Sequence, residues 1–170
     1  AKKLGDRVVL ASPVRKISQD DKGVTVIADK GTWQAERVVV TAPPPSAARI
    51  EFDPVLPYLR RGLMQRMPMG AVIKCFVAYD KPFWRDAGLS GQATLCSGEY
   101  GTFFDTTRPG NKHGVLSGFF DGAPAMRFAD RTKEERRAQV IKDVTLAFGD
   151  KAKKPIDYAE QVWPKEPWSI

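Results

Sequence analysis

The chain has 170 residues, of which 42% are apolar and 28% charged, and its formal net charge is +7. This composition is typical of a soluble globular protein and argues against a disordered chain. No apolar run approaches the length of a membrane-spanning helix, and the first residues lack the apolar core of a signal peptide. Two cysteines, Cys75 and Cys96, and a single histidine argue against a structural zinc site or a disulfide framework. We therefore expect reduced thiols in a cytoplasmic protein.

The positive charge raises nucleic-acid binding as a function to test. However, the basic residues are spread along the chain and interleaved with acids, as in DRTKEERRAQVIKD. A phosphate-tracking surface would instead gather them in one stripe. We expect no nucleic-acid partner, and the charge suits an acidic partner or a further segment of the same protein equally well.

Residues 7–42 predict a small β-meander, because alternating apolar runs are separated by short turns. Its last run, Val38 to Ala42, is almost wholly apolar, as in a strand that is buried on both faces. Three successive prolines, Pro43 to Pro45, end the pairing because proline offers no backbone donor. We place a domain boundary within residues 43–50.

Helical and strand patterns then alternate irregularly. The stretch LPYLRRGLMQRM has helical apolar spacing, residues 71–80 predict a strand, and KPFWRDAGLSG predicts a loop. The runs EYGTFFDTT, GVLSGFF and IDYAEQVW predict three more strands. A helix is expected to begin at Thr132, which forms a capping box with Glu135, and to end at Gly149. Without a regular strand–helix repeat, this order favours an α+β fold.

Lys74 is the residue in the least usual position. The strand AVIKCFVAYD is apolar on both alternating faces, so the lysine cannot be assigned to a wet side. The amine could snorkel to water at a sheet edge, or it could point into a protected cavity and hold a water or a cofactor atom. The strand alone does not decide between them. Elsewhere the chain lacks a Gly-rich dinucleotide loop, a Walker motif, a G-x-S-x-G elbow and an H-E-x-x-H motif.

The sequence around Lys74, LRRGLMQRMPMGAVIKCFVAYDKPFW, resembles the flavin-containing monoamine oxidase family. The Pro-Met-Gly before the strand, the Val-Ile-Lys-Cys within it and the Pro-Phe-Trp after it carry this resemblance. IEFDPVLP, FFDTTRPG, GVLSGFF and YAEQVWPKEPWS are similar to further family segments in the same order. The resemblance covers essentially the whole chain and identifies it as an internal segment of a longer family member.

The resemblance implies an α+β fold with a mixed or antiparallel sheet flanked by helices, plus a small β-meander from the FAD domain. Residues 1–45 would belong to the FAD-binding domain and residues 46–170 to a truncated substrate-binding domain. In the intact parent it implies FAD, a small-molecule amine substrate and oxygen as partners, with a homodimer left open. The segment alone is expected to lack both FAD and activity.

The resemblance also implies site residues, by matched position. Lys74 matches the family lysine that holds a water beside the flavin. Four residues match positions near the cofactor: Val14, Ala42, Pro43 and Trp163. Three match positions that line the substrate cavity: Thr102, Phe104 and Phe119. A tyrosine is common in the family where Thr102 stands, so a wider or differently selective cavity is expected, although plain core packing is the alternative for the aromatic positions.

The implied reaction is the oxidation of an amine to an imine, with oxygen reduced to hydrogen peroxide. A second hypothesis is a related flavin oxidoreductase, of the carotenoid desaturase or protoporphyrinogen oxidase type. A third is a non-catalytic binding module, which the positive charge and the lack of a cofactor loop would suit.

Overall fold

A computed structural model describes residues 3–168. They divide into two compact units, one extending to Met69 and the other beginning at Gly70. Each unit contains one sheet, so the fold is mixed α/β with two sheets, one of four strands and one of five. The boundary between family domains that the sequence suggests near residue 45 is a different division of the chain, and it stays a prediction.

The first unit contains a mixed four-stranded sheet in the order β3-β2-β1-β4. Its elements are β1 (Val14–Asp20), β2 (Gly23–Ala28), β3 (Gly31–Ala35), α1 (Pro44–Ala47), β4 (Glu51–Asp53) and α2 (Tyr58–Arg66). The predicted meander is confirmed as β1 to β3, and β4 adds to β1 in parallel. The predicted helix is confirmed as α2, in which Met64 is buried whereas Leu59 is 80% exposed.

The predicted buried strand at Val38 to Ala42 is wrong. This segment forms no ladder with any described strand, and Val39 is 83% exposed. An apolar run indicates burial only when a second strand or a helix covers it, and no described part of the first unit does so. The segment ends at Pro43, which precedes α1.

The second unit contains an antiparallel five-stranded sheet in the order β6-β7-β8-β5-β9. Its elements are β5 (Val72–Tyr79), α3 (Phe83–Asp86), β6 (Ala93–Thr94), β7 (Thr102–Asp105), β8 (Gly114–Asp121), α4 (Ala123–Ala129), α5 (Lys133–Phe148) and β9 (Asp157–Val162). The strand predicted within residues 71–80 is confirmed as β5, which lies between β8 and β9.

One face of this sheet, the core face, is covered by α4 and α5. Ile73, Cys75 and Val77 of β5 are completely buried there, together with Val140 and Val144 of α5. Gly118 lies directly opposite Cys75, and a Cβ there would come within 2.6 Å of the Tyr100 hydroxyl oxygen. This close approach lets the Tyr100 hydroxyl donate a hydrogen bond to the Cys75 carbonyl oxygen, at 3.1 Å. Packing and this hydrogen bond on the core face therefore hold the middle of β5 in place.

Helix α5 begins where the sequence predicts. Thr132 accepts a hydrogen bond from the Glu135 backbone N–H, and the Glu135 carboxylate accepts one from the Thr132 N–H. We expect Thr132→Ala to lower the free energy of unfolding by about 1 kcal/mol, because the Glu135 backbone N–H loses the hydroxyl that accepts its hydrogen bond. Urea unfolding measures this loss. Thr145→Ala, inside the same helix, is the control and should be close to neutral; equal losses in the two variants would contradict the capping role.

The predicted loop KPFWRDAGLSG contains the single-turn helix α3, and its Trp84 is completely buried. The Asp105 carboxylate at the end of β7 holds this segment, since it accepts hydrogen bonds from Trp84 Nε1 at 2.8 Å and Arg85 Nε at 2.7 Å. Burial tends to raise the pKa of Asp105, but hydrogen bonds from Arg85, Thr107 and Trp84 outweigh burial and lower this pKa to about 2.

A carboxylate with a lowered pKa stabilises the fold above its unfolded pKa of about 4 and loses this contribution as the pH falls towards 2. We expect the free energy of unfolding to decrease by about 1 kcal/mol across this range because of Asp105, after allowance for the exposure of Arg85. Asp105→Asn should flatten that part of the pH profile, measured by urea unfolding. A profile that keeps its slope in Asp105→Asn would refute the assignment.

Candidate functional site

The other face of the five-stranded sheet, which we call the lysine face, carries four of the eight predicted site residues. Helices α4 and α5 lie on the core face, and the alternation of β5 places Lys74 on the opposite side, where it is half-buried. The sequence interpretation of β5 as buried on both faces is therefore only half right. One face of β5 is fully buried, and the face with the lysine is partly accessible.

Strand pairing aligns three of the predicted residues in one row across the sheet. Lys74 on β5 lies directly opposite Phe119 on β8, and Phe119 lies directly opposite Thr102 on β7. Side chains that face each other across antiparallel strands lie about 5 Å apart at Cβ and point to the same side. Phe104 belongs to the next row, and its ring meets that of Phe119 edge to face, with centroids 6.3 Å apart.

The Lys74 ammonium is surrounded by aromatic rings rather than by acids. Its Nζ lies 5.1 Å from the centroid of Phe76 and 5.4 Å from that of Phe119. Within the described residues it makes no ion pair, and no described group accepts a hydrogen bond from it. An ammonium group carries three N–H donors, so this lysine keeps donors free for a water or a ligand.

The sequence interpretation missed Phe76, although a signal for it exists. Residues two apart in a strand share a face, so Phe76 had to accompany Lys74. Gln161 was missed as well. It is the exposed residue directly opposite Lys74 on β9, and only the pairing of two strands that are distant in sequence reveals it.

A polar network beneath the lysine sits on the core face. Arg136 of α5 donates to both carboxylate oxygens of Glu160 on β9, at 2.9 and 2.6 Å, and Glu160 pairs with Cys75 of β5. Burial tends to raise the pKa of Glu160, but hydrogen bonds from Arg136 and Tyr158 outweigh it and hold this pKa below its ordinary value. Glu160 therefore stays ionised and paired, and the network joins α5 to β9 and β5.

Cys75 is a structural residue within this network. Burial raises the pKa of its thiol to about 12, although the hydrogen bond from Tyr158 works in the opposite direction. A thiol with this pKa stays protonated and is a poor nucleophile near neutral pH. The chemistry available around β5 consequently lies with Lys74 and not with its neighbour in the sequence.

The candidate cofactor residues are not gathered on this face. Val14, the first residue of β1, is half-buried, Ala42 is exposed, and Pro43 precedes α1; all three belong to the first unit. Trp163 belongs to the second unit, where it follows β9 and is 42% exposed. Their contacts with a cofactor stay predictions, and among the described residues no cluster could hold a metal ion.

Comparison with known protein families decides the relationship. The model of the family described as flavin containing amine oxidoreductase matches residues 1–169. The chain belongs to this family. The predicted relationship is confirmed, and the family uses flavin.

Individual relatives agree with this assignment. An L-amino acid dehydrogenase of Synechocystis is 38% identical over 99% of this chain and 36% of its own length. A putative flavin-containing monoamine oxidase, AofH, of Mycobacterium tuberculosis is 39% identical over 98% of this chain and 36% of its own length. The chain therefore spans little more than a third of the flavoproteins that it matches.

Solved structures of the family share this fold. Wild-type putrescine oxidase bound to putrescine superposes with a TM-score of 0.88, at 34% identity, over 99% of this chain and 38% of that protein. Cyclohexylamine oxidase from Brevibacterium oxydans superposes with a TM-score of 0.90, at 32% identity and with the same coverage. The two-sheet architecture is thus that of flavin amine oxidases.

The lysine face fits a flavin ring system and its substrate in chemical character. A flavin offers hydrogen-bond acceptors along its edge, and Lys74 has unused donors. The rings of Phe104 and Phe119 supply an apolar wall beside these donors. Apolar walls with a few converging polar groups are the usual lining of small-molecule sites.

Proposed function

We propose that the intact protein is an FAD-dependent amine oxidase. It would convert an amine to an imine and pass the electrons to oxygen, giving hydrogen peroxide. The observation that carries this proposal is the family match over residues 1–169, and the lysine face supports it. Residues 46–170 would form part of the substrate-binding domain, and the β-meander would belong to the FAD-binding domain.

Each predicted residue has a physical task in this proposal. A bound flavin would supply the electron acceptor for removal of a hydride equivalent from the carbon that carries the amine. Lys74 would present a fixed positive charge and free donors beside the flavin, where developing charge is stabilised. Phe104, Phe119 and Thr102 would exclude water from the amine substrate, and the small Thr102 leaves more room than an aromatic residue would.

The remaining candidates concern cofactor binding. Val14, Ala42, Pro43 and Trp163 are proposed to approach FAD, Val14 and Ala42 through backbone groups. The exposed segment before Pro43 supports this idea, because it pairs with no described strand and its backbone is available to the part of the family length that this chain does not span. For the same reason we expect the 170-residue chain alone to hold no stoichiometric flavin and to lack activity.

An anaerobic reduction assay tests the proposed function. The intact protein is mixed without oxygen with primary aliphatic amines, diamines, cyclic amines and L-amino acids, and its visible flavin band is followed. We expect an amine to bleach the band and oxygen to restore it with the formation of peroxide. If no amine or amino acid bleaches the band, a non-catalytic module or another flavin oxidoreductase becomes the better interpretation.

A second candidate function is amino acid dehydrogenation. It is favoured by the 38% identity to the Synechocystis L-amino acid dehydrogenase. In that case an L-amino acid would bleach the flavin band, an artificial electron-accepting dye would restore it, and oxygen would yield little peroxide. The same assay therefore separates the two candidates.

A further inference from the structure

Two phenyl rings bracket the free end of Lys74. Phe76 lies two residues further along β5, and Phe119 lies directly opposite the lysine on β8. Their centroids are 5.1 and 5.4 Å from Nζ, within the distance at which a ring face attracts a cation. The ammonium is therefore held between two residues of the same sheet face.

The aromatic rings can hold the ammonium in place without accepting its hydrogen bonds, which a carboxylate could not do. A lysine side chain has four rotatable bonds and loses considerable entropy when it is fixed in one position. An acid partner would fix the ammonium but would also accept its hydrogen bonds and neutralise its charge. Ring faces attract the cation through their quadrupole and leave conventional acceptors to be supplied by a ligand.

Phe119 is itself supported from the far side. The ring of Phe104 meets it at an interplanar angle of 71°, with 6.3 Å between the centroids. This edge-to-face contact restricts rotation of the Phe119 ring. Phe104, Phe119 and the Lys74 ammonium thus form a continuous series of contacts, and Phe76, two residues further along β5, places a second ring beside the ammonium.

We propose that Phe76 and Phe119 are positioning residues, which hold the Lys74 ammonium in place while leaving its N–H donors free. The proposal rests on the proposed function, in which those donors face the flavin. Phe76 thereby has a role that the sequence interpretation missed, and Phe119 has a task besides lining the substrate cavity.

The first test reads the ring contact without any turnover. Lysines of the intact protein are converted to ¹³C-dimethyl-lysines, which stay cationic, and their methyl resonances are recorded by NMR. Lys74→Arg identifies the resonance of Lys74 by its disappearance. We expect this resonance to be displaced upfield by the two rings, to move downfield in Phe76→Leu, and to stay in place in Phe76→Tyr. Phe128→Leu is the matched control, because Phe128 stacks on Phe120 and has no contact with Lys74.

The second test reads the consequence for the reaction. In Phe76→Leu the rate constant for reoxidation of the flavin, by oxygen or by the acceptor that the wild-type protein uses, should fall about twofold to tenfold. Flavin reduction by the amine should be unchanged, and Phe76→Tyr should restore reoxidation. A destabilising but purely structural role would lower the melting temperature without separating the two half-reactions.

Failure of this inference is distinct from failure of the proposed function. A Lys74 resonance that is unaffected by Phe76→Leu, or a resonance that moves while reoxidation stays at the wild-type rate, overturns the positioning role. The same holds if Lys74→Met leaves reoxidation unchanged, because no cation would then need positioning. The proposed function is tested on the wild-type protein alone, and it is lost if no amine reduces the flavin or if oxygen does not reoxidise it.

Discussion

Replacing Arg136 by methionine is expected to lower the free energy of unfolding by about 3–5 kcal/mol, because the substitution leaves the buried Glu160 carboxylate without its partner. The side chains of Arg136 and Glu160 are only 8% and 9% exposed. The guanidinium also donates to the carbonyl oxygens of Phe128, Ala129 and Arg131, where α4 ends. The substitution thus removes an ion pair and uncaps a helix in a single step.

Urea unfolding at neutral pH measures this loss. Arg127→Met is the matched control, since Arg127 pairs with Glu99 at a similar distance but is 56% exposed. We expect the control to lose less than about 1 kcal/mol. In the double variant Arg136→Met with Glu160→Leu, much of the stability should return, because no charge is left buried alone. Equal losses for Arg136→Met and Arg127→Met would refute the role of burial.

Local sequence patterns were sufficient for several elements. The Thr132 capping box depends on residues three apart and Gly149 ends the helix, and α5 forms between these two signals. Strand β5 is recognisable from the sequence because its apolar and β-branched residues occupy neighbouring positions. Such features depend on chain neighbours and so can be predicted from one sequence.

Features that depend on distant partners were not predictable in the same way. Arg136 and Glu160 are 24 residues apart, and an arginine in an amphipathic helix ordinarily suggests an exposed position. Likewise, the run Val38 to Ala42 has the composition of a buried strand, yet burial requires a cover that its own residues cannot provide. The partly accessible face of β5 was hidden because both of its faces are apolar apart from Lys74.

The candidate site was predicted partly by resemblance and partly by pattern. The family motif identified Lys74, Thr102, Phe104 and Phe119, and the sheet register brings these four to one face. Phe76 and Gln161 emerged only from the structure. The roles of all these residues remain predictions until variants of the intact protein are measured.

Lys74→Met should produce the largest functional loss. Methionine has a similar length and an apolar stem like that of lysine, but it lacks the positive charge and the three N–H donors. Removing one preorganised electrostatic group from an active site typically costs about 10²- to 10³-fold in rate. We expect a loss near the lower end of this range in reoxidation of the flavin, with the fold unchanged because the ammonium has no ion pair among the described residues.

Two variants serve as controls, one that keeps the positive charge at position 74 and one that removes a lysine elsewhere. Lys74→Arg retains the charge and should keep part of the activity, although its planar group cannot occupy the same position between the rings. Lys81→Met removes an exposed lysine that pairs with Asp86 just beyond β5, and it should behave as the wild type does. A loss in Lys81→Met comparable with that in Lys74→Met would show that general charge, and not the lysine face, matters.

The most direct test of the lysine face as the active face is rapid-mixing absorbance of the intact protein with and without Lys74→Met. The flavin is first reduced anaerobically by the amine and then mixed with oxygen, so that the two half-reactions are timed separately. Our account predicts that Lys74→Met slows reoxidation by about 10²-fold while Lys81→Met does not. Wild-type rates for both half-reactions in Lys74→Met would contradict it.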